Sequence, residues 1–233
     1  VIAAIGRETL NLNRNAYEIT ALQNADKEVG ILYSDSSILS DTSTSFAMYQ
    51  AYSACLYSGK AVQFVTPSQL SKMNDCKVLI VPQATYVTGE TLDYIKSFIE
   101  NGGKVMIIGQ NSLKKNEKKE NNDSTHAFST QFLNSSPKFQ RSMNCITHFF
   151  SIIPLSSINS TGSMTKEALY DEVRNVLTSA NIYNVVVKDA VSGEAVDYVE
   201  YNVGEYNGDI IINMISYEGD KNVKISVGNK PRR

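Results

Sequence analysis

The chain has 233 residues, a formal net charge of −2 and 42% hydrophobic residues. That length supports a sizeable core and exceeds the usual single domain, so one full α/β domain plus part of another is expected. The charge leaves no basic footprint for nucleic acid and no polybasic stretch for a membrane surface, and no segment is long and apolar enough to cross a bilayer.

Val1 is neither an initiator Met nor the start of a signal peptide with basic and apolar regions, so the chain is expected to be a piece of something larger. Val1 to Gln23 carries Leu12, Ala16, Ile19 and Leu22 at helical spacing and predicts one amphipathic helix; with the link to Glu28 it forms a leading segment over 1–28. Val29 to Tyr33 is the first strand, and Ser34-Asp35-Ser36-Ser37 begins a polar loop at its carboxyl end. Asp41 to Ser45 offers several N-caps for a helix running to about Ser58, whose Ala47, Ala51, Ala54 and Cys55 form a small-residue face able to lie close against a sheet. Gly59 ends it, Ala61 to Val65 is a second strand, and Ser68 to Met73 is a short connection.

Cys76 to Gly109 is the organising stretch, and it reads as strand, helix, strand. Lys77 to Val81 and Lys104 to Ile108 have the continuous apolar character of strands covered on both faces. Between them Thr88 caps a helix with Leu92, Ile95, Phe98 and Ile99 on one face, and Asn101-Gly102-Gly103 stops it. A right-handed crossover makes the two strands parallel neighbours. Gln110 to Arg141, with its lysine- and amide-rich centre, predicts a long mobile excursion. Ile146 to Pro154 resumes as a buried strand, Thr165 caps a helix with an apolar stripe from Leu169 to Ala180, and Tyr183 to Lys188 is a sixth strand.

Beyond Gly193 the pattern changes. Val196 to Val203, Asp209 to Tyr217 and Val223 to Val227 are separated by tight-turn signals and predict an antiparallel meander. The expected architecture is therefore α/β: a flavodoxin-like parallel sheet with helices on both faces over 29–192, then part of a small antiparallel β-domain over 193–233.

Sheets of this order bind ligands at the carboxyl ends of their strands, which selects Ser34, Asp35, Gln83, Gln110 and Asn111 as candidate ligand-binding residues. None is a nucleophile paired with a base. An amidotransferase elbow would need a Cys after a strand, yet the turn Gly109-Gln110-Asn111-Ser112-Leu113 has none, and neither His126 nor His148 is followed by a Glu two residues on. A Gly-x-Ser-x-Gly elbow is also missing. Three cysteines, Cys55, Cys76 and Cys145, form no C-x-x-C pair and are expected to be small buried hydrophobes. Asp93, Glu100, Glu167, Asp171 and Glu172 fall on solvated helix faces rather than a cleft. No catalytic residue, metal site or cofactor is expected. Ser40 to Ser45 at a helix N-terminus could hold a phosphate, although N-capping is the commoner use of such residues.

Several segments together resemble one family. Val29-Gly-Ile-Leu-Tyr-Ser34, the aromatic-bearing helix to Tyr57-Ser-Gly59, Val62 to Val65, Val78-Leu-Ile-Val-Pro82 and Ile99-Glu-Asn-Gly-Gly103-Lys104-Val105 look like the middle domain of family 42 glycoside hydrolases, the bacterial β-galactosidases. The resemblance covers Ile2 to Lys188, and Ile5-Gly6-Arg7-Glu8 resembles the exit from that family's catalytic barrel. It implies an amidotransferase-like trimerisation domain without an active site, following a (β/α)8 barrel that carries two catalytic glutamates. The only Asn-Glu dipeptide, Asn116-Glu117, lies in the charged excursion and takes no catalytic role. The implied role is self-association as a trimer and shaping of an active-site rim, with the helix faces and the excursion as contact surfaces. With no Trp in the chain, any sugar stacking would fall to Tyr86, Phe128, Phe132 or Phe139. A flavodoxin-like module holding an anionic ligand at Ser34 to Ser45 is the reading from another class, and an amidotransferase-like hydrolase of unusual chemistry is a third.

Overall fold

The structure is a computed structural model that describes residues 2–109, 112–121, 151–153, 166–182, 185–196 and 198–228. Its centre is a parallel sheet of β1 (Val29–Leu32), β2 (Val62–Val65), β3 (Val78–Pro82), β4 (Lys104–Ile108) and β5 (Ser151–Ile153), in the order β2-β1-β3-β4-β5. Every pairing within it is parallel. This is the doubly wound α/β fold with the flavodoxin-like strand order that the alternation of strands and helices predicts.

Each of β1, β3 and β4 is buried at every position, because helices cover both faces. On one face Val29, Ile31, Val78, Ile80, Met106 and Ile108 pack against α4 (Thr42–Leu56) and α6 (Lys166–Ser179). The expected small-residue face of α4 lies directly on the sheet, with Ala47, Ala51, Ala54 and Cys55 fully buried. On the other face Leu79, Val81, Val105 and Ile107 pack against α5 (Gly89–Glu100) and the 3-10 segment Pro67–Asp75. Thr88 caps α5 as expected, its side chain accepting from the Thr91 N–H at 3.1 Å. Gly30 is needed in β1 because a Cβ there would sit 2.9 Å from Cys76 Sγ and press on Val65 and Leu79. Lys104, at the start of β4, donates its ammonium to the Ser179 carbonyl at the end of α6, satisfying a helix-terminal acceptor.

Four expectations differ from what is observed. The leading helix is two helices, α1 (Ile2–Arg14) and α2 (Ala16–Gln23), and α1 buries nothing. In α2 Ala21, whose backbone lies against Gly204, is buried, while Ile19 and Leu22 of the predicted stripe are half-buried. The excursion after β4 does not begin as a free loop: Leu113 is fully buried, and its N–H and that of Lys115 donate to the carbonyls of Ala84 and Thr85. One apolar side chain anchors a segment whose composition reads as solvated. Residues 122–141 of that excursion, and the strand expected before Ser151, lie outside the described residues.

The last two differences concern the carboxyl-terminal strands. The sixth strand is present as β6 (Val185–Asp189), but it leaves the parallel sheet and pairs antiparallel with β9 (Val223–Val227). The three later strands are therefore not one meander. β7 (Val199–Tyr206) and β8 (Asp209–Ser216) form a hairpin through Asn207-Gly208, both with positive φ, while β9 crosses to β6. Val185, Val187, Val196, Val199 and Tyr201 make a small third core between these two ribbons. It locks onto the main body at two glycines. A Cβ on Gly59 would collide with the Tyr201 ring, and one on Gly204 would come within 2.8 Å of the Ala21 backbone in α2.

Two outcomes are expected. Ile80→Ala, on the fully buried central strand, should lower stability to denaturant by about 2–5 kcal/mol with the transition still cooperative. Burial pushes the Cys55 thiol from 9.0 up to about 12, so unfolding in that window ionises a group the fold keeps neutral. Its contribution is complete below pH 9.0 and is lost as pH climbs toward about 12. Cys55→Ala should flatten the alkaline fall in stability, and native protein at about pH 8 should leave Cys55 unmodified by a disulfide reagent.

Candidate functional site

The carboxyl ends of β1, β3 and β4 are where this fold exposes backbone and loops to a ligand, so the geometry there decides what the sheet can do. Ser34 follows β1 and caps α3 (Asp35–Ser40), its Oγ accepting from the Ser37 N–H at 3.3 Å. The same hydroxyl donates to the Tyr86 carbonyl at 2.5 Å. Ser37 Oγ donates to that carbonyl and accepts from the Tyr86 N–H, both at 2.9 Å. Thr44, in the first turn of α4, donates to the Gln83 carbonyl at 3.0 Å. Three buried hydroxyls on the β1 side are thus spent holding the backbone of the loop after β3.

Gln83 closes the same edge from within. It sits at the end of β3 with φ of 47° and is buried, and its N–H donates to the Ile108 carbonyl at 2.6 Å. A non-glycine residue in this left-handed region carries strain that its surroundings must hold. Its Oε1 is buried without a hydrogen-bond partner among the described residues and lies against Gly109, where a Cβ would stand 1.6 Å from it. Gly109 itself has φ of 93°, so the turn after β4 requires glycine twice over, for its backbone and for its neighbour. Ser112 follows, fully buried, with its Oγ donating to the Ile108 carbonyl at 3.0 Å.

Of the sequence-selected residues, Ser34 and Gln83 are brought together at this edge, Asp35 is exposed in the first turn of α3, and Gln110 and Asn111 lie outside the described residues. Ser37, Thr44 and Ser112 lie within stretches that the sequence marks but are not singled out there, because a hydroxyl in a polar loop gives no sign of whether it will be buried. Asp41, not a serine, caps α4, with Oδ1 accepting from the Ser43 N–H at 2.8 Å. The Ser40 to Ser45 loop is therefore used by its own helix.

Chemical groups for catalysis are equally committed. Cys55 is held neutral by burial, and Cys76, whose thiol burial also raises, contacts Gln63 Nε2 at 3.2 Å and the Lys72 carbonyl at 3.4 Å. Asn116-Glu117 forms a surface turn in which Asn116 Oδ1 accepts from the N–H groups of Lys118 and Glu120. The Tyr86 ring has Lys115 and Lys119 ammonium groups 6.0 and 5.8 Å from its centroid, which places two cations where a stacked sugar would lie. No cluster of three metal-ligating side chains occurs among the described residues. His126, His148, Cys145, Phe128, Phe132 and Phe139 are outside them. Among the described residues the edge fastens loops and presents no activated nucleophile.

No protein-family model matches the chain, and comparison with curated proteins finds no match. Solved structures do resemble it. The apo exo-carrageenase GH42 from Bacteroides ovatus aligns with a TM-score of 0.62 at 15% identity, over 93% of this chain and 26% of that one. Gan42B, a GH42 β-galactosidase, aligns with a TM-score of 0.54 at 13% identity, over 87% of this chain and 40% of that one. A catalytic mutant of Gan42B from G. stearothermophilus gives the same figures. This chain thus spans a minor part of each of these larger proteins. Its structural neighbours are GH42 glycoside hydrolases, and at such identities what it shares with them is the fold.

Proposed function

We propose that this chain is the assembly and active-site-rim domain of a β-galactosidase-like glycoside hydrolase, itself non-catalytic and working beside a catalytic barrel elsewhere in the parent protein. The observation that carries the reading is that, among the described residues, the carboxyl ends of β1 and β3 are closed. A doubly wound sheet normally offers its ligand crevice there; here Ser34, Ser37 and Thr44 are spent on the backbones of Tyr86 and Gln83, and Gln83 fills the space against Gly109. A sheet so closed is a scaffold, and its value lies in the surfaces it presents.

Two features support a scaffold with partners. α1 carries Ile2, Ile5, Leu10 and Leu12 with more than half of each side chain exposed, an arrangement suited to packing against a neighbouring domain. The small β unit also leaves Ile210, Met214, Ile225 and Val227 partly exposed on the faces that line its core. Because β6 pairs with β9, we read the strands from Val185 onward as part of a small antiparallel β-domain. The likeness to GH42 structures along nearly the whole of this chain supports the middle-domain assignment. Assembly about a three-fold axis would use two different patches on each copy.

Light scattering across a concentration range tests the reading. A mass three times that of the chain is expected, together with no turnover of a nitrophenyl β-galactoside. A single-chain mass at every concentration overturns the assembly role, and hydrolysis by the purified chain overturns the non-catalytic one.

A further inference from the structure

At the opposite, amino-terminal edge of the sheet lies a cleft of about 590 Å3, bounded by α2, the link into β1, the end of α4 and the β7–β8 hairpin. Its volume falls in the range of small-molecule sites. Ala21, Val185, Val203 and Ile210 supply an apolar lining, and Gly204 lets α2 and the hairpin approach closely enough to form one continuous wall. Tyr17 from α2 and Tyr206 from β7 stack at 5.3 Å between centroids, with rings 25° apart, and both reach solvent. Around them stand polar side chains of both hydrogen-bonding senses: Asn24, Asp26, Asn207 and Lys60.

The charge pattern narrows the ligand. Lys60 is mostly buried and holds Glu28 at 3.5 Å, while Glu28 also accepts from Lys77 at 2.5 Å. Glu28 thus serves two ammoniums, and burial pulls the Lys60 ammonium down from its ordinary range with Glu28 opposing it. Asp26 and Glu205 line the cleft beside Glu28, so its lining carries three carboxylates and one ammonium, that of Lys60, and disfavours an anion. A purely apolar ligand would leave the amides and the Asp26 carboxylate without partners, at the cost of unpaired polar groups. A ring with one apolar face and several hydroxyls meets both requirements.

We propose that this cleft binds a neutral oligosaccharide, with a sugar ring against the Tyr17–Tyr206 wall and its hydroxyls bonded by Asn24, Asp26, Asn207 and Lys60. The site lies at the other end of the strands from the carboxyl ends of β1 and β3. It makes the chain a sugar-holding module as well as a scaffold.

Saturation-transfer NMR and calorimetry with cellotriose, β-1,4-galactotriose and β-1,4-mannotriose test it. At least one is expected to bind with a dissociation constant of about 1 mM, as befits a few rings in an open site. Tyr17→Ala, at an exposed ring, should weaken binding about tenfold, the size of one lost aromatic contact. Asn207→Gly keeps the turn, because Asn207 has φ of 52° and glycine adopts that conformation freely, and it should weaken binding by removing the amide alone. Absence of saturation transfer from all the trisaccharides at about 10 mM overturns the proposal. So does binding that is unchanged in both variants while their circular dichroism matches the parent chain.

Discussion

Burial of β3 on both faces is the constraint from which the rest of this structure follows. A strand with no solvated face must be covered by helices above and below, and it must have neighbours on both edges to satisfy its backbone. β1 and β4 are those neighbours, and their own continuous apolar sequences repeat the demand. α4 and α6 answer it on one side, α5 and the 3-10 segment on the other. Where space is shortest the chain uses its smallest residues: Gly30 inside β1, and Ala47, Ala51 and Ala54 where α4 touches the sheet.

A sheet built this way ends in loops at its carboxyl edge, and what those loops do separates a binding fold from a scaffold. Here, among the described residues, the hydroxyls of Ser34, Ser37 and Thr44 are bonded to the backbone of the loop after β3. The Ser34 and Ser37 hydroxyls converge on one carbonyl, that of Tyr86, and Thr44 holds the carbonyl of a strained Gln83. The strain at Gln83 persists because its N–H, its carbonyl and the space beside Gly109 are all determined by neighbours. Leu113 then draws the following segment back over the loop after β3.

The carboxyl-terminal strands obey a different logic. β6 abandons the parallel sheet because its partner β9 offers an antiparallel register in which Val185 and Val187 face the small third core. That core is fastened to the main body by contacts that only glycine permits, Gly59 beneath Tyr201 and Gly204 against α2. The same close approach of α2 to the hairpin creates the cleft walled by Tyr17 and Tyr206. Packing that joins two units thereby leaves a lined space between them.

The sequence alone determined the local elements of this protein: the apolar runs of β1, β3 and β4, the Thr88 cap and stripe of α5, the small face of α4, and the Asn207-Gly208 turn. Each is written in neighbouring residues, through periodicity, capping chemistry or turn preference. It also marked the carboxyl edge as the place to inspect, since that follows from strand order. Only the tertiary structure decided which hydroxyls there are buried, that Gln83 turns inward, that β6 pairs with β9, and that Leu113 anchors a polar segment. Those outcomes depend on contacts between residues tens of positions apart, such as Ser37 with Tyr86 and Ala21 with Gly204. Local pattern carries no record of such partners, because a buried serine and a solvated one have the same sequence signature until the chain that covers one of them is in place.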